Sequence, residues 1–128
     1  MEACEASDVR GYRSLKVYQK AQDLAAEILR LTAKYPKNEQ FGAVAQSRGA
    51  ALSIVSNIAE GYRRCSRKDF IRFLKFAYGS CGELDAQISV ATKAGWIDPE
   101  GSKRVSEMID TVSRWTWRLM ESLNRPQK

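Results

Sequence analysis

The run Arg63-Arg64-Cys65-Ser66-Arg67-Lys68, continued by Arg72 and Lys75, is the stretch whose residue types and spacing best suit chemistry, and that chemistry is ionic. Six cations meet only two nearby carboxylates, Glu60 and Asp69. Lysine and arginine neutralise phosphates and release condensed counterions, so the run points to RNA or DNA as ligand. Tyr62, beside it, offers a ring on which a base could stack. The same side chains would also serve merely to solvate a loop and the start of a helix. Arg67 and Lys68 fall in the first turn of an expected helix, where cations oppose the helix dipole; that small cost suggests a use other than stability. Arg104, Arg114 and Arg118 allow a second basic stripe, read as an ordinary exposed face.

Covalent and metal chemistry find little support. The chain has no histidine, the commonest metal ligand and the usual proton carrier near neutral pH. No G-x-S-x-G, Walker or G-x-G-x-x-G pattern occurs. Cys4, Cys65 and Cys81 are odd in number, far apart and free of C-x-x-C spacing, and they read as buried free thiols. Glu60 and Glu83 form no carboxylate-histidine element, so hydrogen bonding is their expected role. No catalytic residue, metal or cofactor is therefore expected, and an enzyme is the least favoured class.

Position along the chain matters for the charge. The net charge is +6, but residues 1–11 carry three acids against one arginine, leaving +8 on residues 12–128. The acidic head is expected to be a flexible tail, and residues 12–128 one bundle domain. Apolar residues make up 44% and charged residues 28%, an ordinary globular balance in a chain of ordinary single-domain length. No apolar stretch approaches the roughly 20 residues of a membrane span, and the acidic start is unlike a secretory signal. A cytoplasmic protein is expected, with no membrane partner.

Four helices must position the basic run. Val17, Ala21, Leu24, Ile28, Leu31 and Tyr35 recur at helical spacing, and Pro36 forbids continuation, which predicts a helix over 14–34. A second helix opens after Asn38 as cap and runs through Val44, Ala51, Ile54, Val55 and Ile58 to Gly61, expected to close it. Ser66 with Asp69 forms a capping-box-like start for a third, whose stripe is Phe70, Leu74, Ala77, Cys81, Leu84, Ile88 and Ala91. Gly95 ends it. Asp98-Pro99 then opens a fourth, striped by Val105, Ile109, Val112, Trp115 or Thr116, Leu119 and Leu123. Trp115 suits the core, whereas Trp117 points elsewhere and could mark a partner surface. Four helices of about twenty residues with short links predict an all-α, antiparallel up-down-up-down four-helix bundle.

The second helix carries a further stripe, polar and small: Gln46, Ala50, Ser53, Asn57 and Glu60. From Phe41 to Ala59 the only formal charge is Arg48, unusual for a helix that faces water. Burial by neighbouring helices or by further copies of the chain fits better. Gly79, Ser80, Glu83 and Gln87 repeat the theme on the third helix. A structural polar network of Gln46, Ser53, Asn57, Glu60, Ser80, Glu83 and Gln87 is expected, with Asn57 and Glu60 bonding to Ser80 or Gln87.

Two runs give a resemblance. Gln46-Ser47-Arg48 through Ser53-Ile54-Val55-Ser56-Asn57-Ile58-Ala59-Glu60-Gly61 resembles the signature of the 23S ribosomal RNA intervening-sequence proteins, a bacterial four-helix bundle family. Asp69-Phe70, Phe73-Leu74, Ala77, Gly79-Ser80 and Glu83-Leu84 look like its third-helix pattern, F-x-x-F-L-x-x-A-x-G-S-x-x-E-L. The resemblance covers about Leu15 to Leu123. Cys81 and Gly82 stand where bulkier apolar residues are usual, and Gly49-Ala50-Ala51 makes the second helix smaller. The resemblance implies a protomer that assembles into a ring-like homopentamer. It also implies kinship with accessory proteins of diversity-generating retroelements, which bind nucleic acid and a reverse transcriptase. The expected function is a non-enzymatic homo-oligomeric scaffold that binds RNA or DNA through Arg63, Arg64, Arg67, Lys68, Arg72 and Lys75, with a protein partner also in view. The alternative is a protein-interaction or structural module without nucleic-acid affinity.

Overall fold

A computed structural model of the chain describes residues 15–126; the acidic head expected at residues 1–11 lies outside them. Four helices, α1 (Lys16–Thr32), α2 (Ala45–Arg63), α3 (Arg67–Lys93) and α4 (Pro99–Leu123), make up the described residues together with short links, and no strand occurs among them. Each helix packs on the next and α1 on α4, so four contacts close the bundle, the α2–α3 contact being the most extensive. Leu24, Ile28, Ile54, Ile58, Leu74, Ala77, Leu84, Val105 and Thr116 are wholly buried along its centre. These are largely the apolar stripes expected from periodicity. On α4, however, the buried position is Thr116, whose hydroxyl donates to the Val112 carbonyl at 2.7 Å, while Trp115 is only partly buried beneath Lys20.

Local chemistry sets most of the helix ends. The Ser66 hydroxyl accepts from the Asp69 N–H at 3.2 Å, and the Asp98 carboxylate from the Gly101 N–H at 2.7 Å, with Pro99 in the first turn of α4. At the end of α3, Gly95 takes a φ of 82° while its N–H bonds to Thr92 and that of Trp96 to Ala91, the paired bonds of a Schellman close. Trp96 thereby folds back onto Tyr35, ring centroids 5.2 Å apart.

Two expectations at helix ends, and one for a cysteine, are corrected. Helix two does not open from Asn38: a 3₁₀ turn over Lys37–Glu39 and a π-helical turn over Gln40–Val44 precede it, and Asn38 caps neither. The π turn leaves Phe41 on the outside, 92% exposed. Gly61 does not close the helix either. It is buried inside α2, and a Cβ there would lie 2.6 Å from Phe73 Cβ and 3.1 Å from Phe70 Cδ1. Its missing side chain lets α3 approach, and the left-handed residue of the link is instead Cys65, φ 63°. Cys65 is exposed, because the link in which it lies faces outward, and it is disulfide-bonded rather than a free thiol; the same expectation for Cys4 lies outside the described residues. Cys81 is the buried free thiol, and burial pushes its pKa up to about 12.

Ion pairs finish the α1–α4 seam. Glu27 accepts from Arg104 at 2.9 Å and from Arg30 at 3.0 Å. The hydrogen bond from Arg104 is the main reason its carboxyl lies below the ordinary 4.5, against an opposing effect of burial.

Gly61→Ala should destabilise the fold by about 1–3 kcal/mol through overpacking, whereas Gly79→Ala, where a Cβ meets nothing within 4 Å, should be neutral or stabilising by up to about 1 kcal/mol. Urea unfolding of the two variants checks this; equal effects would show that the crossing tolerates a methyl. The stability from Glu27 is fully present above pH 4.5 and is lost as the pH falls through its depressed folded value, because protonation removes the ion pairs. Glu27→Gln should accordingly flatten the acid limb of a pH–stability curve.

Candidate nucleic-acid interface

The α2–α3 link gathers the basic run at one end of the bundle. α2 delivers Arg63 and Arg64 in its closing turn, Ser66 starts α3 at once, and Arg67, Lys68, Arg72 and Lys75 follow over its first three turns. The two helices are locked beneath by Tyr62, buried and edge-on to Phe70 with ring centroids 5.7 Å apart. Tyr62 is therefore unavailable to a base, which corrects the stacking role expected of it.

Both neighbouring carboxylates are engaged by one arginine each. Arg64 Nε donates to Glu60 at 2.8 Å, and Arg72 lies 3.6 Å from Asp69. All four groups are well exposed, so these pairs contribute little to stability and mainly orient the guanidinium groups. Arg67, Lys68 and Lys75 form no ion pair among the described residues. The site is thus a cluster whose acids are already matched and whose excess charge is positive.

Sequence reasoning missed the aromatic part of this cluster. Phe73 lies beneath two guanidinium groups, Arg64 at 5.0 Å and Arg72 at 4.8 Å from the ring centroid. Phe76 meets Phe73 edge-on at 5.6 Å, has Arg72 at 5.8 Å, and is 49% exposed. A usable signal existed: Arg72-Phe73 and Lys75-Phe76 alternate cation and aromatic three residues apart, so each type keeps to one side of the helix.

Only part of the expected polar network comes together. The Ser53 and Ser80 hydroxyls meet across the α2–α3 contact at 3.0 Å, and Asn57 Nδ2 donates to the Ser53 carbonyl at 2.8 Å and to its hydroxyl at 3.0 Å. Asn57 and Glu60 do not reach Ser80 or Gln87. The register that sets Ser53 against Ser80 and Gly61 against Phe73 carries Gln87 to the other end of α2, beside Gln46 and Ser47. Gln87 donates instead to Glu83 at 3.3 Å, and Glu60 pairs with Arg64, so the two glutamates have separate partners. Of the second arginine stripe, Arg104 is paired with Glu27 and Arg114 with Asp110 at 3.0 Å. Trp117 is 50% exposed and stacks obliquely on Tyr78.

A groove of about 470 Å³ opens at the opposite end of the α2–α3 pair, lined by Tyr35, Gln46, Gln87, Val90 and Trp96 among others. Tyr35 Oη and Gln87 Oε1 are buried there without a hydrogen-bond partner. Burial raises the Tyr35 pKa above 10.0, keeping the phenol neutral.

Known proteins bear on the fold. The chain matches the model of the 23S rRNA-intervening sequence protein family over residues 13–117. It belongs to this family. A crystal structure at 1.70 Å of a protein of unknown function from the S23 ribosomal protein family of Bacteroides thetaiotaomicron superimposes with a TM-score of 0.76 at 21% identity, covering 82% of this chain and 95% of that one. At that identity the likeness shows the shared helical fold alone. No match was found among curated proteins. The family match spans α1, α2, α3 and most of α4, and so includes the whole basic cluster.

Asn57→Ala should cost about 1 kcal/mol, because it removes the side chain that ties Ser53 into the cross-helix bond. Gln87→Ala should stay within about 0.5 kcal/mol, since its one bond, to Glu83 of its own helix, is exposed and its buried Oε1 has no partner to lose. Thermal or urea unfolding of the pair measures both; the reverse order would relocate the important polar contact to the groove end.

Proposed function

We propose that this member of the family is a non-enzymatic, homo-oligomeric helical scaffold that binds RNA or DNA through the cluster of Arg63, Arg64, Arg67, Lys68, Arg72 and Lys75. The supporting observation is that Glu60 and Asp69 are each taken up by one arginine, while Arg67, Lys68 and Lys75 keep their charge unmatched among the described residues. A phosphate backbone is the ligand such an arrangement suits, through release of counterions. We read the bundle as antiparallel and its assembly as a ring-like pentamer in the cytoplasm. In such a ring, repetition of one patch per protomer converts weak contacts into avidity.

The second reading, a protein-interaction module without nucleic-acid affinity, draws on the scarcely charged outer face of α2 and α3. Leu52 and Val90 are 47% and 65% exposed there. Self-association would cover that face without excluding nucleic-acid binding elsewhere.

Binding of mixed-sequence RNA, measured at several salt concentrations, tests the proposal. The logarithm of affinity should fall linearly with the logarithm of salt, and Arg67→Ala or Lys68→Ala should reduce the slope by about 1 per protomer engaged. Arg64→Ala should reduce it less, because Glu60 already neutralises that guanidinium. No binding at low salt would leave the interaction module. Sedimentation velocity at micromolar concentration tests the assembly, which a monomer would rule out.

A further inference from the structure

From the aromatic part of the cluster, and resting on the nucleic-acid reading above, we infer that the site takes unpaired bases of a single strand, stacked on Phe76, in preference to a duplex. Phe76 is half exposed at the edge of the cation cluster, with Arg72 5.8 Å from its ring centroid and Lys75 its neighbour in sequence. Single exposed apolar residues are common and need no explanation, but Phe76 is not single. Its ring meets Phe73 edge-on at 5.6 Å, and Phe73 in turn carries Arg64 at 5.0 Å and Arg72 at 4.8 Å. The result is a small platform with two rings held at a right angle (87°) and two planar guanidinium groups held against them.

The surroundings of that platform select its occupant. The centre of a protein–protein interface is depleted in lysine, whereas here Lys68 and Lys75, without ion pairs among the described residues, lie on the same helix as the exposed ring, which has Arg72 5.8 Å from its centroid. A flat apolar face combined with negative charge is what a nucleotide presents. Phosphates meet Arg67, Lys68 and Lys75 while a base lies on the ring, and Arg72, held near both aromatic rings and Asp69, is positioned to stack or to pair. In a duplex the base faces are already occupied by their neighbours and only edges are offered, so an exposed phenyl ring gains nothing there. An unpaired base has a free face, whichever base it is. The site therefore recognises a strandedness rather than a sequence.

The test compares a 20-nucleotide single-stranded RNA, single-stranded DNA of the same sequence and a blunt RNA duplex of the same length, by fluorescence anisotropy at fixed low salt. The proteins are the full chain and its Phe76→Leu and Phe76→Tyr variants. Leucine keeps the apolar bulk and removes the π face; tyrosine keeps the face. Phe76→Leu is expected to weaken both single strands about tenfold and to leave the duplex and the salt slope unchanged, while Phe76→Tyr retains the affinity of the parent. Equal loss on single strand and duplex, or loss on neither, overturns the stacking while leaving the nucleic-acid reading standing. Loss on only one of RNA and DNA assigns the effect to the sugar and also overturns it. A change of sedimentation coefficient in Phe76→Leu would make the ring a contact between copies and would overturn the stacking in the same way. Absence of binding by the parent protein to all three probes removes both readings together.

Discussion

The close approach of α2 and α3 is the constraint on which the rest of the molecule depends. Gly61 has no side chain where one would run into Phe73 and Phe70, and Ser47, Ala50 and Ala51 keep the same side of α2 small along its length. That proximity permits the Ser53–Ser80 hydroxyl contact and the edge-on packing of Tyr62 on Phe70. It also fixes what the link can carry. With the helices drawn together, residues 64–66 suffice to turn the chain, so cations from the end of one helix and the start of the next share a single surface. Packing beneath the turn and charge above it are two results of the same missing methyl group.

A second economy concerns Arg48, the one charge on α2 between Phe41 and Ala59. It lies partly exposed across α1, donating to the Thr32 hydroxyl at 2.8 Å and the Leu29 carbonyl at 3.1 Å. Thr32 is itself buried and bonds the Ile28 carbonyl at 2.7 Å, so the guanidinium acts as a tie between two helices. The outward side of α2 is then left to Gln46, Gly49, Leu52 and Ser56, a surface with little of the charge that usually keeps a helix wet. One arginine both secures α1 and spares the neighbouring face a charge.

Much of this was legible in the sequence, for reasons that differ by element. The α3 stripe from Phe70 to Ala91 and the caps at Ser66 and Asp98 follow from periodicity and side-chain reach, which are local properties. Gly61 was misread because a glycine near a helix end and a glycine under a crossing helix look alike until the partner is known. The π turn at Gln40–Val44 left no local signal, and the choice of Thr116 over Trp115 for the core depends on how far α4 is rotated against its neighbours. The polar network was half right for a related reason: composition picks out residues fit for burial, but only register decides which of them meet. Phe73 and Phe76 were passed over because aromatics on a bundle helix are ordinarily core, and the cations that distinguish these two come partly from another helix.

The wide turn at Gln40–Val44 has a consequence for how such chains can change length. A π turn holds about one residue more than an α turn but completes the same single rotation. Losing that one residue would let the segment wind on as ordinary helix through the same full turn, so everything before it, including Tyr35 and its contact with Trp96, would keep its side of the bundle. The turn at Gln40–Val44 is consequently a place where the chain can shed one residue without re-aiming what lies on either side, provided Val44 keeps its place in the core.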